Sequence, residues 1–162
     1  MLFYQKVAWK GWLLESMDAS SAFLQARGRH DEQNIYTIGV KEMSEALGIP
    51  HGEGMKILKA WYGLTDAPRC FWLDVDEKMI WKLNAVRCRY DPCTWLFLCD
   101  TTAQVIGVAG THVDDFQIAG DDGDIRWINK RKQILDLYDC DSISSGSYRY
   151  AGVNNIQHPN RS

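Results

Sequence analysis

Residues Val105-Ile106-Gly107-Val108-Ala109-Gly110-Thr111-His112-Val113-Asp114-Asp115-Phe116-Gln117-Ile118-Ala119 decide how this chain reads: two apolar runs, Val105 to Gly110 and Phe116 to Ala119, flank a pair of adjacent acids. The pattern predicts a hairpin with Asp114 at its tip. An ordinary buried hairpin gains nothing from two carboxylates there, whereas a divalent cation needs clustered oxygen ligands that do not neutralise one another. Working outward, a third acid matters as much. Asp18 interrupts the stretch Met17-Asp18-Ala19-Ser20-Ser21-Ala22-Phe23-Leu24, with Leu13 to Met17 reading as a short strand that delivers it. Two acids distant in sequence, each on a strand-like segment, are the usual layout for metal-assisted phosphoryl or nucleotidyl transfer.

The chain has 162 residues and a hydrophobic fraction of 46%, enough for one ordinary domain with a sizeable core and too apolar for disorder. Its formal net charge of -3 gives no whole-chain signal for nucleic acid, although a cationic track on one face is compatible with a balanced total. Cys70, Cys88, Cys93, Cys99 and Cys140 form no Cys-x-x-Cys pair and an odd count. Reduced core thiols are therefore expected instead of a structural zinc or a disulfide framework. No stretch approaches the roughly 18 apolar residues of a membrane span, and the first ten residues lack a signal-peptide pattern. The expectation is an intracellular, cytoplasmic soluble protein with no membrane partner.

The remaining segments are punctuated by turn and cap residues. A helix is expected to end near Gly11, a turn or short helix to cover Ser20 to Gln25, and a loop to span Arg27 to Asn34. An edge strand follows at Ile35 to Ile38 and a short amphipathic helix at Lys41 to Leu47, with Gly48 to Gly54 as a loop without packed structure. Pro68 at a first helical position and the recurrence of Trp72, Val75, Met79, Ile80 and Leu83 predict a helix from Pro68 to Asn84, burying Trp72, Val75 and Met79. Thr94 to Cys99 reads as a strand. A helix capped by Asp124 should run from Ile125 to Tyr138. Ser142 to Ser147 reads as a loop, Tyr148 to Asn154 as the last strand, and residues 157–162 as a frayed tail.

Four motifs in order resemble one family. They are Met17-Asp18-Ala19-Ser20-Ser21-Ala22-Phe23-Leu24-Gln25, then Trp61-Tyr62-Gly63-Leu64-Thr65-Asp66-Ala67-Pro68-Arg69, then Asp91-Pro92-Cys93, and His112-Val113-Asp114-Asp115 with Ala119-Gly120. Together they resemble the reverse transcriptase domain of copia-type LTR retrotransposons, over about Gly11 to Ile156, with Tyr150-Ala151-Gly152-Val153 similar to the family's final palm strand. The resemblance implies an α+β fold over residues 1–156: the palm of a right-hand polymerase, a small antiparallel sheet with helices on one face. It implies an RNA-directed DNA polymerase in which Asp18, Asp114 and Asp115 are catalytic and hold Mg2+ or Mn2+.

By the same resemblance Phe23 is a steric gate against the ribose 2′-hydroxyl, and Tyr62, Gly63 and Arg69 line the nucleotide path. The implied partners are an RNA or DNA template, a primer and a deoxynucleoside triphosphate. The other expected partners are the fingers, thumb and RNase H regions of a polyprotein, because this stretch resembles the palm with fingers incomplete and thumb absent. A 162-residue palm by itself is then expected to be inactive or nearly so.

Each residue also has a plainer reading. Phe23 suits a core, and Gly63 with Pro68 suits a tight turn before a helix. The cluster Arg126, Lys130, Arg131 and Lys132 suits a solvated helix face. Asp66 stands where the family usually has Gln, and His112 where an aromatic or apolar residue commonly precedes Val-Asp-Asp. Two rival functions follow: a catalytically silent palm remnant serving as a structural or interaction domain, and a nucleic-acid-binding module using Trp9, Trp61 or Tyr62 as stacking platforms.

Overall fold

Residues 2–28 and 34–161 are described by the computed structural model; the middle of the expected 27–34 loop lies outside them. The chain opens with helix α1 (Leu2–Lys10) and strand β1 (Leu13–Ala19), followed by a single helical turn α2 (Ala22–Gln25). A small unit comes next: strand β2 (Tyr36–Ile38), helix α3 (Lys41–Leu47) and strand β3 (Gly54–Lys56), with β2 and β3 paired antiparallel. Helix α4 (Ala67–Glu77) runs into a π-helical turn (Lys78–Lys82). Strands β4 (Val86–Arg87), β5 (Thr94–Leu98), β6 (Val105–His112) and β7 (Asp115–Gly120) lead to helix α5 (Ile125–Leu135). Strands β8 (Cys140–Ser145), β9 (Ser147–Tyr150) and β10 (Val153–Ile156) complete the fold.

The main sheet has the order β4-β5-β6-β7-β1-β8, with every neighbouring pair antiparallel. The fold is thus α+β, with a six-stranded sheet. Helices cover both faces, contrary to the one-sided arrangement expected. On one face Phe71, Val75 and Met79, spaced four residues apart along α4 and its π turn, are fully buried in a cluster with Met17, Trp95, Phe97, Phe116 and Ile118. Trp72, expected among the buried set, is only half-buried, with its Nε1 donating to the Pro92 carbonyl at 3.3 Å. Val75 and Met79 are buried as expected, and Phe71 takes the place of Trp72 because the inward stripe runs Ala67, Phe71, Val75, Met79 at four-residue spacing.

On the other face α1 packs Val7 against Trp12, Leu14, Val108 and Ala119. Its end has a specific cause. Gly11 adopts φ +63, its N–H donates to the Ala8 carbonyl, and the Trp12 N–H donates to the Val7 carbonyl, both at 3.1 Å. That is a Schellman stop, in which the residue after the glycine packs back onto the helix. Trp12 and Val7 do so.

Helix α5 starts where expected, with the Asp124 side chain accepting from the Arg126 N–H. It buries Trp127 and Ile134. Trp127 lies in a slot made by two glycines that are paired across β6 and β7: a Cβ on Gly107 or on Gly120 would fall 1.9 Å or 2.2 Å from the indole ring. Neither glycine is there for its backbone freedom; both are there for the missing side chain.

Three expectations change at the end of the chain. The segment expected as a loop at Ser142 to Ser147 is largely strand β8, paired with β1 at the sheet edge. Most of its residues are exposed, so it carries no apolar alternation to announce it. The expected last strand is a hairpin, β9 and β10, closed by Ala151 and Gly152 at φ +48 and +78, the two left-handed residues of a type I′ turn. The expected frayed tail is fastened: Gln157 accepts from the Leu14 N–H and donates to the Trp12 carbonyl, each at 2.9 Å, and Arg161 pairs with Asp122 at 2.7 Å. Short polar segments read as loops until their partners are known.

Gly107→Ala should lower stability by about 1–3 kcal/mol, the usual cost of overpacking a filled core. Urea unfolding measures it, and a change below about 0.5 kcal/mol, the range of ordinary surface substitutions, would show that Trp127 does not need the slot.

Candidate functional site

Strand β1 lies antiparallel to β7 with Met17 opposite Phe116 and Asp18 opposite Asp115. The Met17 and Phe116 side chains are buried on the α4 face, so the alternation of a strand sends Asp18 and Asp115 to the other face. Between the strands, the Ala19 N–H donates to the Asp114 carbonyl at 3.1 Å, tying the hairpin tip to the end of β1. His112 and Asp115 close a turn whose first central residue, Val113, holds φ +58. A β-branched residue in that region is a genuine outlier, of the kind that costs roughly 1–3 kcal/mol and persists where its surroundings over-determine it.

The three expected acids are therefore brought to one place. Asp18 is held above the ordinary carboxylate range, by desolvation first and then by the charges of Asp114, Asp115 and Asp141. Asp141 was not expected. Between Met17 and Ala19 the pairing with β8 shifts, so that Asp141 and Ser142 together face Asp18. Two residues against one is a β-bulge, a device that re-aims side chains at a strand edge. Asp141 accepts a hydrogen bond from the Ser20 hydroxyl. The acid-rich run Asp139-Cys140-Asp141 was the available signal, but nothing in it announced a partner strand.

The donor chemistry suits a hard divalent cation, since every donor is a carboxylate oxygen and their mutual repulsion falls when a cation enters. Among the described residues, however, no group of three or more His, Cys, Asp or Glu side chains is drawn together in a ligating arrangement. Asp115 is also engaged, its Oδ2 accepting from the Ala151 N–H at 3.0 Å.

The other expected residues divide between two regions. Phe23 is buried, at 7% exposure, with its ring centroid 4.8 Å from that of Tyr62, which is 52% exposed. These two rings are brought together, and Phe23 also contacts Phe71 edge-on in the core. Gly63 has φ +91 and no atom within 4 Å of a Cβ position, so it serves the turn. Arg69 lies beside Trp72, Pro92, His112 and Val113 around a depression of about 470 Å3 on the flank of the hairpin tip. Asp18 and Asp115 instead line a polar cleft of about 290 Å3 with Ser142, Ser144, Tyr148 and Arg149. Arg69 and the acids thus face different openings.

The basic helix face is mostly committed. Arg131 grips the buried Glu15 with both arms at 2.5 and 2.6 Å, Arg126 pairs with Asp124, and Lys130 donates to the Leu83 carbonyl at 2.7 Å. No disulfide joins the cysteines among the described residues, and Cys99 is buried. No helix among the described residues is long and apolar enough to cross a membrane. In comparisons with known proteins, no family model, no curated protein and no solved structure matches this chain.

Because its pKa is raised, Asp18 binds its proton more tightly in the folded chain than in the unfolded one. The folded state therefore loses stability as pH rises from the unfolded carboxylate pKa, about 3.9, through the raised value, and the loss persists above it. Asp18→Asn should consequently raise the melting temperature at pH 7 without divalent cations, and the gain should vanish near pH 3. Thermal melts at both pH values decide it; a lower melting temperature for the variant at pH 7 would contradict the repulsion.

Proposed function

We propose that this chain is the palm of an RNA-directed DNA polymerase of the copia retrotransposon type, with Asp18 and Asp114 as the carboxylates that hold Mg2+ or Mn2+. One observation carries the reading: the β1–β7 register that sets Asp18 opposite Asp115 and bonds Ala19 to the Asp114 carbonyl. The first and last of the four motifs quoted above meet in that arrangement; Tyr62 of the second packs on Phe23 of the first, and Pro68, Arg69, Pro92 and Cys93 of the second and third line the depression on the hairpin flank with His112 and Val113. Bound Mg2+ would supply charge neutralisation and activation of the attacking and leaving oxygens in an in-line transfer.

The chain's own residues would act around it. Asp18 and Asp114 would hold negative charge where the cation binds, and the cleft lined by Asp18 and Asp115 leaves room for a strand terminus. Phe23, just after β1, packs on the exposed Tyr62, and this ring pair would offer an apolar wall to a sugar and disfavour an additional hydroxyl by leaving it without a hydrogen bond. The implied partners remain a primer, an RNA or DNA template and a deoxynucleoside triphosphate, held by fingers and thumb segments.

A second reading, a silent palm remnant serving as a structural or interaction domain, is favoured by the engaged carboxylate of Asp115 and by the lack of a ligating trio among the described residues. Primer extension separates the two. With these 162 residues fused to segments that grip a primer–template duplex, extension on RNA in Mg2+ is expected. Asp18→Asn or Asp114→Asn should each lower the rate about 100-fold or more, the scale of losing a main electrostatic contributor. No extension, or extension indifferent to both substitutions, would favour the remnant.

A further inference from the structure

The tip of the β6–β7 hairpin is held from three sides. From within, the Thr111 hydroxyl lies 3.1 Å from the carbonyls of both Val113 and Asp115 and donates to one at a time. From β1, the Ala19 N–H takes the Asp114 carbonyl. From outside the sheet, the Ala151 N–H takes the Asp115 carboxylate. The first two are backbone acceptors that any sequence would offer; the third needs the Asp115 side chain.

The outer anchor belongs to a strap. The β9–β10 hairpin crosses the α1 face, and its open end is closed by the Gln157 N–H donating to the Gly146 carbonyl. Gln157 also fastens that end to Trp12 and Leu14 at the start of β1. Midway, the Tyr148 hydroxyl accepts from Nε2 of the buried Gln117 at 3.2 Å. At the far end, Ala151 in the I′ turn reaches Asp115. Gln117 and Asp115 are two residues apart on β7 and so share a face. The strap thus runs along β7 with polar fastenings at successive same-face positions, the last of them on the acid cluster.

We propose that Asp115 is a positioning residue: its carboxylate latches the β9–β10 turn to the hairpin tip and thereby holds Asp114 in place beside Asp18. The latch is a property of the fold; only its consequence for cation binding rests on the palm reading. A side chain with an acceptor oxygen at this position keeps the latch, and charge alone does not.

Two neutral variants isolate the acceptor, because Asp115→Asn and Asp115→Ala remove the same charge while only asparagine retains a carbonyl oxygen for the Ala151 N–H. Amide hydrogen exchange over residues 147–156 reads the strap. Asp115→Ala should speed exchange of the Ala151 amide and its hairpin neighbours about tenfold or more, as local opening replaces protection, while Asp115→Asn stays within about threefold of the parent. Equal exchange in both variants would overturn the latch.

Calorimetric titration with Mn2+ alone reads the consequence for Asp114. Affinity should fall further in Asp115→Ala than in Asp115→Asn, and equal loss would overturn the positioning role. Absence of Mn2+ binding in the parent as well would count against the palm reading and leave the exchange comparison to decide the latch.

Discussion

Everything at the candidate site depends on one register, the antiparallel match of β1 to β7. Met17 opposite Phe116 satisfies the core, and the same register necessarily sets Asp18 opposite Asp115. A slip of one residue would send the buried residues to the other face and put the acids into the core. Like charges directly across a strand pair are destabilising, so apolar burial on the α4 face maintains an arrangement that electrostatics opposes. The pKa of Asp18 is raised by desolvation first, and the charges of Asp114, Asp115 and Asp141 add to the shift in the direction of that opposition. A cation is the simplest agent that would relieve it.

The two faces of the sheet divide the labour. The α4 and α5 face holds the large cluster, in which the rings of Phe71 and Phe116 meet, as do those of Phe97 and Trp127. Tyr138 extends it toward the surface, donating to Asp74 at 2.6 Å while Lys78 pairs with the same carboxylate. The α1 face is thinner and more polar, crossed by the β9–β10 strap, and the acids open onto it. A rigid side and a polar side are what a site on a sheet requires, since the rigid side can fix positions to which the polar side contributes chemistry.

Much of this was legible in the residues. The apolar runs around His112-Val113-Asp114-Asp115 announced the central hairpin, Asp124 announced the start of α5, and Pro68 lay in the first turn of α4. The α+β character with an antiparallel sheet is what the family resemblance implies, and the sheet has it. What escaped notice lacked a local signal. Strand β8 is serine-rich and exposed, so its pairing is fixed by the β1 edge. Asp141 approaches Asp18 through a bulge, which only the partner strand defines. Gly107 and Gly120 carry no local signal, because the Trp127 ring that needs their missing side chains comes from a different element, α5. Arg131, read within a solvated basic face, spends its charge on buried Glu15. Long-range pairing decided each of these.

The register of β1 and β7 would build the proposed cation site from Asp18 and Asp114. The most direct measurement is paramagnetic line broadening of backbone amide resonances as Mn2+ is added to the chain. Selective loss of signals from residues 17–20 and 112–116 is expected, abolished by Asp114→Asn, with α5 and the β2–β3 unit unaffected. Broadening spread evenly over surface acids, or identical in the variant, would contradict it.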